Sequence, residues 1–112
     1  MAKPAVLHEN KDFRRLYGKG KSCVHPALVT YAAKNRLGYC RVGITTSKKI
    51  GHAVARNRAR RVIREAFRTL APRVQGGCDL VFVARTKTTR VKSTELAVVM
   101  ARQLTALGWL AP

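Results

Sequence analysis

Residues 55–68 read ARNRARRVIREAFR. Arginine recurs through the stretch, yet alanine, valine, isoleucine and phenylalanine are spaced between the arginines. At about 100° per residue the side chains separate into two arcs. Ala55, Ala59, Val62, Ile63, Ala66, Phe67 and Leu70 gather on one side. Asn57, Arg58, Arg60, Arg61, Arg64 and Arg68 take the other, with Arg56 near the border at the N-terminal end. The spacing predicts a helix over about 53–70 that stops near Pro72, because the residue before a proline is pushed out of the helical conformation. One face of this helix joins a core and the other presents a ridge of guanidinium groups. A basic face that is merely solvated usually carries carboxylates at i,i+4. Here only Glu65 is available, and Arg60, Arg64 and Arg68 repel one another at about a few tenths of a kcal/mol per pair. Arginine is also the side chain whose planar fork holds phosphate bidentately. The ridge therefore reads as a surface for a phosphate backbone, with a solvated face as the plainer alternative.

The rest of the chain agrees. Its 112 residues, 46% of them hydrophobic, suffice for one small core, and a single domain over 1–112 is expected. Lys and Arg number 23 against 5 Asp and Glu, so the net charge is +18. The basic residues run from Lys3 to Lys92, with only Arg102 beyond, so the charge belongs to the body and not to a tail. Such a domain repels itself unless a polyanion neutralises it; nucleic acid is the first candidate and anionic membrane the second. The longest apolar run, residues 96–101, is far short of the ~20 residues of a membrane span. The opening MAKPAVLHENKDF has no apolar signal core. A cytoplasmic protein with no membrane partner and no obligate protein partner is expected. Cys23, Cys40 and Cys78 are odd in number and far apart in sequence, with no C-x-x-C pair. They read as small apolar residues in strands, not as a disulfide framework or a zinc site.

Asn10 is the predicted cap of a short helix over about 11–17, ended by Gly18 and Gly20, with Phe13, Leu16 and Tyr17 on one face. A short edge strand precedes Pro26, a fuller strand covers 28–33, and NRLG (35–38) is a turn. In YCRVGITT, Cys40, Val42 and Ile44 point one way and Arg41, Gly43 and Thr45 the other; Gly43 leaves room for close approach by a partner. Gly76-Gly77 forms a turn into a central strand at 80–84, and a basic loop follows at 85–92. Ser93 or Thr94 caps a last helix to about Leu107, with Leu96, Met100, Leu104 and Leu107 as its core stripe. The order is α-β-β-β-α-β-α, an α+β class domain. Zinc-finger, homeodomain and basic-zipper patterns are missing, and a sheet bearing aromatics beside a basic helix suits unpaired RNA better than a DNA major groove. Glu9, Asp12, Glu65, Asp79 and Glu95 are scattered, and the spacing of His8, His25 and His52 suggests no acid–base pair. Neither catalytic residues nor a protein metal site is expected.

The run VGITTSKKIGHAVARNRARRVIREAFR (42–68) resembles the signature of the bacterial ribonuclease P protein family, S-K-K-I-G-x-A-V-x-R-N-R-x-x-R-x-x-R-x-x-F. KDFRRLYGKGKS (11–22) is similar to the family's first helix and following strand, and DLVFVAR (79–85) to its last strand. The resemblance implies the α+β sandwich of the second domain of ribosomal protein S5, with a left-handed βαβ crossover, an exception to the usual handedness. It implies a protein subunit of ribonuclease P, the endonuclease that removes the 5′ leader of precursor tRNA. The RNA subunit is then the catalyst, using Mg2+ held mainly by RNA. Arg56, Asn57 and Arg58, with Arg60, Arg61, Arg64 and Arg68 behind them and Lys48 and Lys49 beside them, would face the ribonuclease P RNA. Phe13, Tyr17 and Tyr31 would line a cleft for the leader of the precursor tRNA, where stacking gives sequence-tolerant binding; ordinary core packing of Phe13 and Tyr17 is the alternative. The family usually has Asn where this chain has His52, a more common Ser-Val pair where it has Thr45-Thr46, and often an aromatic residue at position 28, which is Leu here. A structural RNA-binding protein, such as a ribosomal protein, is the reading from another class.

Overall fold

A computed structural model describes residues 5–110. The elements are β1 (Ala5–Val6), α1 (Asn10–Lys19), β2 (Lys21–His25), β3 (Leu28–Lys34), β4 (Arg41–Thr45), α2 (Ala53–Leu70), β5 (Cys78–Ala84) and α3 (Ser93–Ala106). Short 3-10 turns lie at Lys48–Ile50, Ala71–Arg73 and Thr86–Arg90. The strands form one sheet in the order β1-β4-β5-β3-β2. β5 runs parallel to β4 and antiparallel to β3, β2–β3 is an antiparallel hairpin, and β1 lies parallel beside β4.

Alternation along the strands assigns side chains to two faces. Leu80 and Phe82 of β5, with Leu28 and Ala32 of β3, pack against Ala59, Ile63, Ala66 and Phe67 of α2 and Leu96, Met100 and Leu104 of α3. The opposite face holds a smaller cluster, Leu7, Leu16 and Val81, with Phe13 and Tyr31 packed against it. Helix α1 thus covers one face, and α2 and α3 the other. The core arc expected for α2 is the one observed: Ala59, Val62, Ile63, Ala66, Phe67 and Leu70 are buried and Ala55 is half-buried.

Several local expectations need correcting. Helix α1 begins at Asn10 itself, with Glu9 in the cap position and no side-chain cap. It also runs through Gly18 and ends at Gly20. A Cβ at Gly18 would meet nothing, whereas one at Gly20 would lie 2.5 Å from the Leu16 carbonyl oxygen, so the chain can leave the helix that tightly only at the second glycine. Lys92, not Ser93 or Thr94, occupies the cap position of α3, again without a side-chain bond. The basic loop contains a 3-10 turn, because Thr88 Oγ1 accepts from the Arg85 N–H and donates to the buried Ala27 carbonyl. Strand β1 adds one element ahead of the expected order; at two residues it is too short for a pattern. Leu107 is half-buried, while the polar Gln103 is buried. Gln103 accepts from Thr30 Oγ1 at 2.6 Å and donates to the carbonyls of Leu28 and Cys23, which satisfies its amide inside the core. The cysteines are free thiols; Cys40 and Cys78, distant in sequence, are neighbours at 3.8 Å between sulfurs. Donation to Cys40 and burial push the Cys78 thiol above its ordinary range.

Candidate nucleic-acid interface

The guanidinium ridge stands on a helix whose other face is held by the core. Asn57, Arg58, Arg61, Arg64 and Arg68 are exposed, and Arg56 and Arg60 are half-buried. Arg68 pairs with Glu65 at 3.0 Å. Arg58 donates Nε–H to the Thr89 carbonyl at 2.8 Å, which ties the helix to the turn before α3. Among the described residues, Arg56, Arg60, Arg61 and Arg64 have no hydrogen-bond or ion-pair partner, so their donors are available to an outside anion. Lys48 and Lys49 are exposed on the 3-10 turn just ahead of α2. His52, at the cap position of α2, makes no side-chain cap bond, so the first-turn N–H groups add partial positive charge beside the two lysines. Lys92 lines a shallow hollow with Arg58 and Arg61 and thereby widens the basic surface. The basic composition of 85–92 was the available signal for it; nothing in the local pattern tells which of those residues lies next to α2.

The three aromatic candidates come together on the α1 side of the sheet. Phe13 and Tyr17 have ring centroids 6.4 Å apart, and Tyr17 and Tyr31 meet edge-on at 5.0 Å. Tyr17 is exposed, while Phe13 and Tyr31 are half-buried against the small cluster. The Tyr17 hydroxyl shares a 2.9 Å hydrogen bond with Thr45 Oγ1, which fixes the helix against the end of β4. The space at Gly43 is taken by the chain's own Phe13 and not by an outside partner: a Cβ there would meet the Phe13 ring. The register continues this face along Ser22, Val24, Val29 and Val83. The chain then passes from Thr45 directly into the Lys48–Ile50 turn and α2, so the aromatic strip and the basic ridge adjoin at one end of the sheet.

At the other end of β4 from the Tyr17–Thr45 bond lies a buried ion network that no sequence pattern announced. Asp79 is fully buried and accepts from Arg41 Nε at 2.9 Å and Nη2 at 2.7 Å, from Asn35 Nδ2 at 2.8 Å, and from Arg15. Burial alone would push this carboxyl up, but the bonds from Arg41 and Asn35 and the charges of Arg41 and Arg15 prevail and hold it below its ordinary value. Arg15, Arg41 and Asn35 come from α1, β4 and the turn after β3, so the network fixes how α1 sits on the sheet.

Comparison with known proteins decides the family. The ribonuclease P family model matches residues 1–108. This chain belongs to the ribonuclease P protein family. It is 48% identical over 80 residues to the ribonuclease P protein component of Clostridioides difficile strain 630, covering 70% of each chain. It is 43% identical over 81 residues to that of Thermoanaerobacter sp. strain X514, covering 72% of this chain and 70% of the relative. The ribonuclease P protein of Staphylococcus aureus superposes with a TM-score of 0.84 at 29% identity, over 97% of this chain and all of that one. The Thermotoga maritima ribonuclease P protein gives 0.74 at 29% identity, over 95% and 94% of the two chains. As a ribonuclease P protein, the chain acts in tRNA 5′ processing within a ribonucleoprotein nuclease, with ribonuclease P RNA as its partner.

Proposed function

We propose that this chain, acting as one domain over 1–112, holds the ribonuclease P RNA on the α2 ridge and the 5′ leader of precursor tRNA on the aromatic strip of α1 and β3, while the RNA subunit hydrolyses the phosphodiester bond. The observation that carries this reading is the set of unpartnered arginines on α2, above all Arg60 and Arg64, on a helix whose opposite face is locked in the core. Phosphate contacts neutralise their mutual repulsion and use their fork geometry. Arg56, Asn57 and Arg58, with Lys48 and Lys49, lie at the end nearest the strip, where a leader on Tyr17 and Tyr31 would meet the cleaved bond. Four of the protein's five acids are engaged by cations: Asp79 by Arg15 and Arg41, Asp12 by Arg41, Glu9 by Lys11 and Glu65 by Arg68, while Glu95 lies in the first turn of α3. Among the described residues no three His, Cys, Asp or Glu side chains converge to hold a metal. The Mg2+ ions would rest mainly on RNA phosphates, with the exposed Asn57 able to assist. Among the described residues no helix is long and apolar enough to cross a membrane, and we place the protein in the cytoplasm with its tRNA substrate.

The test is leader removal from a precursor tRNA at low magnesium with a bacterial ribonuclease P RNA, this protein, or both. Cleavage with both and with neither alone is expected. Cleavage by protein alone would overturn the assignment of chemistry to RNA. Tight RNA binding with no cleavage, where an established subunit rescues the same RNA, would favour a purely structural RNA-binding role.

A further inference from the structure

Between α2 and the β1–β4 edge of the sheet lies an open groove of about 990 Å³. Its floor is apolar, with Val42 and Phe67 among its lining. One bank carries Arg60, Arg64 and Arg68 from successive turns of α2, about 6 Å apart along the axis. Tyr39, 51% exposed, also lines the groove and makes no ring–ring contact among the described residues. Each feature narrows the occupant. An apolar floor accepts any greasy group. A positive bank selects an anion. An exposed aromatic face adds a preference for a flat π-system. A nucleotide unit combines all three, since it joins a flat base to phosphates on either side. A fatty anion would use the floor and the bank and leave Tyr39 idle.

We propose that this groove is a base-binding site apart from the Phe13–Tyr17–Tyr31 strip: an unstacked base of the partner RNA stacks on Tyr39 over the apolar floor, with its flanking phosphates on Arg60 and Arg64. The inference rests on the RNA-binding reading of the α2 ridge and extends it from backbone contact to capture of a base. Among the described residues the Tyr39 side chain makes no hydrogen bond and no ring contact, and its one marked interaction is electrostatic, with Arg41. The Tyr39 backbone carbonyl accepts from Asn35 Nδ2 at 3.0 Å, and that bond survives any change of side chain.

The experiment measures the dissociation constant of the full chain for a bacterial ribonuclease P RNA at several salt concentrations, for wild type, Tyr39→Ala, Tyr39→Leu and Tyr39→Phe. The alanine and leucine variants are expected to bind roughly 5- to 100-fold more weakly and the phenylalanine variant within about twofold of wild type, as loss and retention of one stacked base require. The slope of log affinity against log salt stays the same in all four, because no phosphate contact is removed. Wild-type affinity in Tyr39→Ala overturns the proposal. So does wild-type affinity in Tyr39→Leu, which would mean that position 39 supplies apolar contact and not stacking, and so does a loss accompanied by a shallower salt slope. Failure of the wild type to bind in a salt-dependent manner would remove the RNA-binding reading as well, whereas normal wild-type binding with an indifferent Tyr39 removes the groove alone.

Discussion

The Phe13 ring occupies the space in which a side chain on residue 43 would begin: a Cβ on Gly43 would lie 2.7 Å from Phe13 Cζ and 3.2 Å from the Leu7 carbonyl oxygen. The helix and the sheet are therefore fitted to each other at this one glycine. Gly43→Ala must swing the ring outward. It is expected to cost about 1–3 kcal/mol, as overpacking does, and to disturb the aromatic strip through Phe13's neighbour Tyr17. Urea denaturation measures the first effect. The second appears as a weaker preference for precursor over mature tRNA in the reconstituted ribonucleoprotein.

Tyr17→Ala removes an exposed ring and its bond to Thr45, and Phe13→Ala removes a half-buried one. Both are expected to weaken binding of leader-bearing substrate more than binding of mature tRNA, by about 1–3 kcal/mol for a lost stacked base. Only Phe13→Ala should also lower the unfolding midpoint appreciably. Equal losses for both substrates would mean that the strip serves packing and not the leader.

Arg60→Ala and Arg64→Ala are expected to weaken assembly on ribonuclease P RNA by about 1–3 kcal/mol each, the range for charge-assisted contacts. Arg68→Ala should cost less, because Glu65 already engages that guanidinium. Titrations at moderate salt check the order, and an unchanged dissociation constant for Arg64→Ala would defeat the ridge as a phosphate surface.

Asp79→Asn deprives Arg15 and Arg41 of their buried carboxylate. The expected destabilisation is about 2 kcal/mol, below the usual 3–5 for a broken buried pair because both arginines keep some solvent contact. The pH dependence has a definite sign. The folded-state pKa of Asp79 is depressed, so the network's contribution is full above the unfolded value of about 3.9 and fades as pH falls through the folded value. Wild-type stability should drop in that acid range, and the Asp79→Asn curve should be flatter there. Unfolding free energies between neutral pH and strong acid make the comparison.

Thr46 Oγ1 is buried without a hydrogen-bond partner among the described residues. Thr46→Val replaces the hydroxyl with a methyl of similar shape and is expected to raise stability by about 1 kcal/mol. A loss of stability would reveal a bond that the hydroxyl does make in solution.

Much of the fold was legible because its larger elements repeat a simple period. The two arcs of α2 match its observed core and surface sides, and the continuous apolar run of β5 matches a strand buried almost throughout; the alternation in β4 sorted its side chains onto two faces but missed that Gly43, on the face read as open, is the one buried under Phe13. What escaped depended on contacts distant in sequence. Gln103 interrupts an apolar stripe, and its bonds to Thr30 and to the carbonyls of Cys23 and Leu28, all distant in sequence, explain it. Asp79 reads as the first polar residue of a strand until Arg15, Arg41 and Asn35 converge on it. Two helices start ahead of the expected caps Asn10 and Ser93 or Thr94, with Glu9 and Lys92 in the cap positions and no side-chain cap bond at either to mark the start. At the candidate site, composition found the ridge and resemblance supplied the aromatic trio. Lys92 and Tyr39 stayed hidden because their relevance comes from lying beside α2, a relation that no local pattern encodes.

The strand order has a consequence for how the molecule is made. β5 is the last strand in the chain, yet it lies between β3 and β4 and joins the β2–β3 hairpin to the β1–β4 pair. It also contributes Leu80 and Phe82 to the core that receives α2. Pairings of such long sequence separation form slowly, and during synthesis they must wait for residues 78–84 to emerge. A nascent chain that stalls before Cys78 is left with two separate strand pairs and an arginine helix lacking its seat, a form open to proteases and to any nearby polyanion. Emergence of this one strand is the step that turns two separate strand pairs into one continuous sheet.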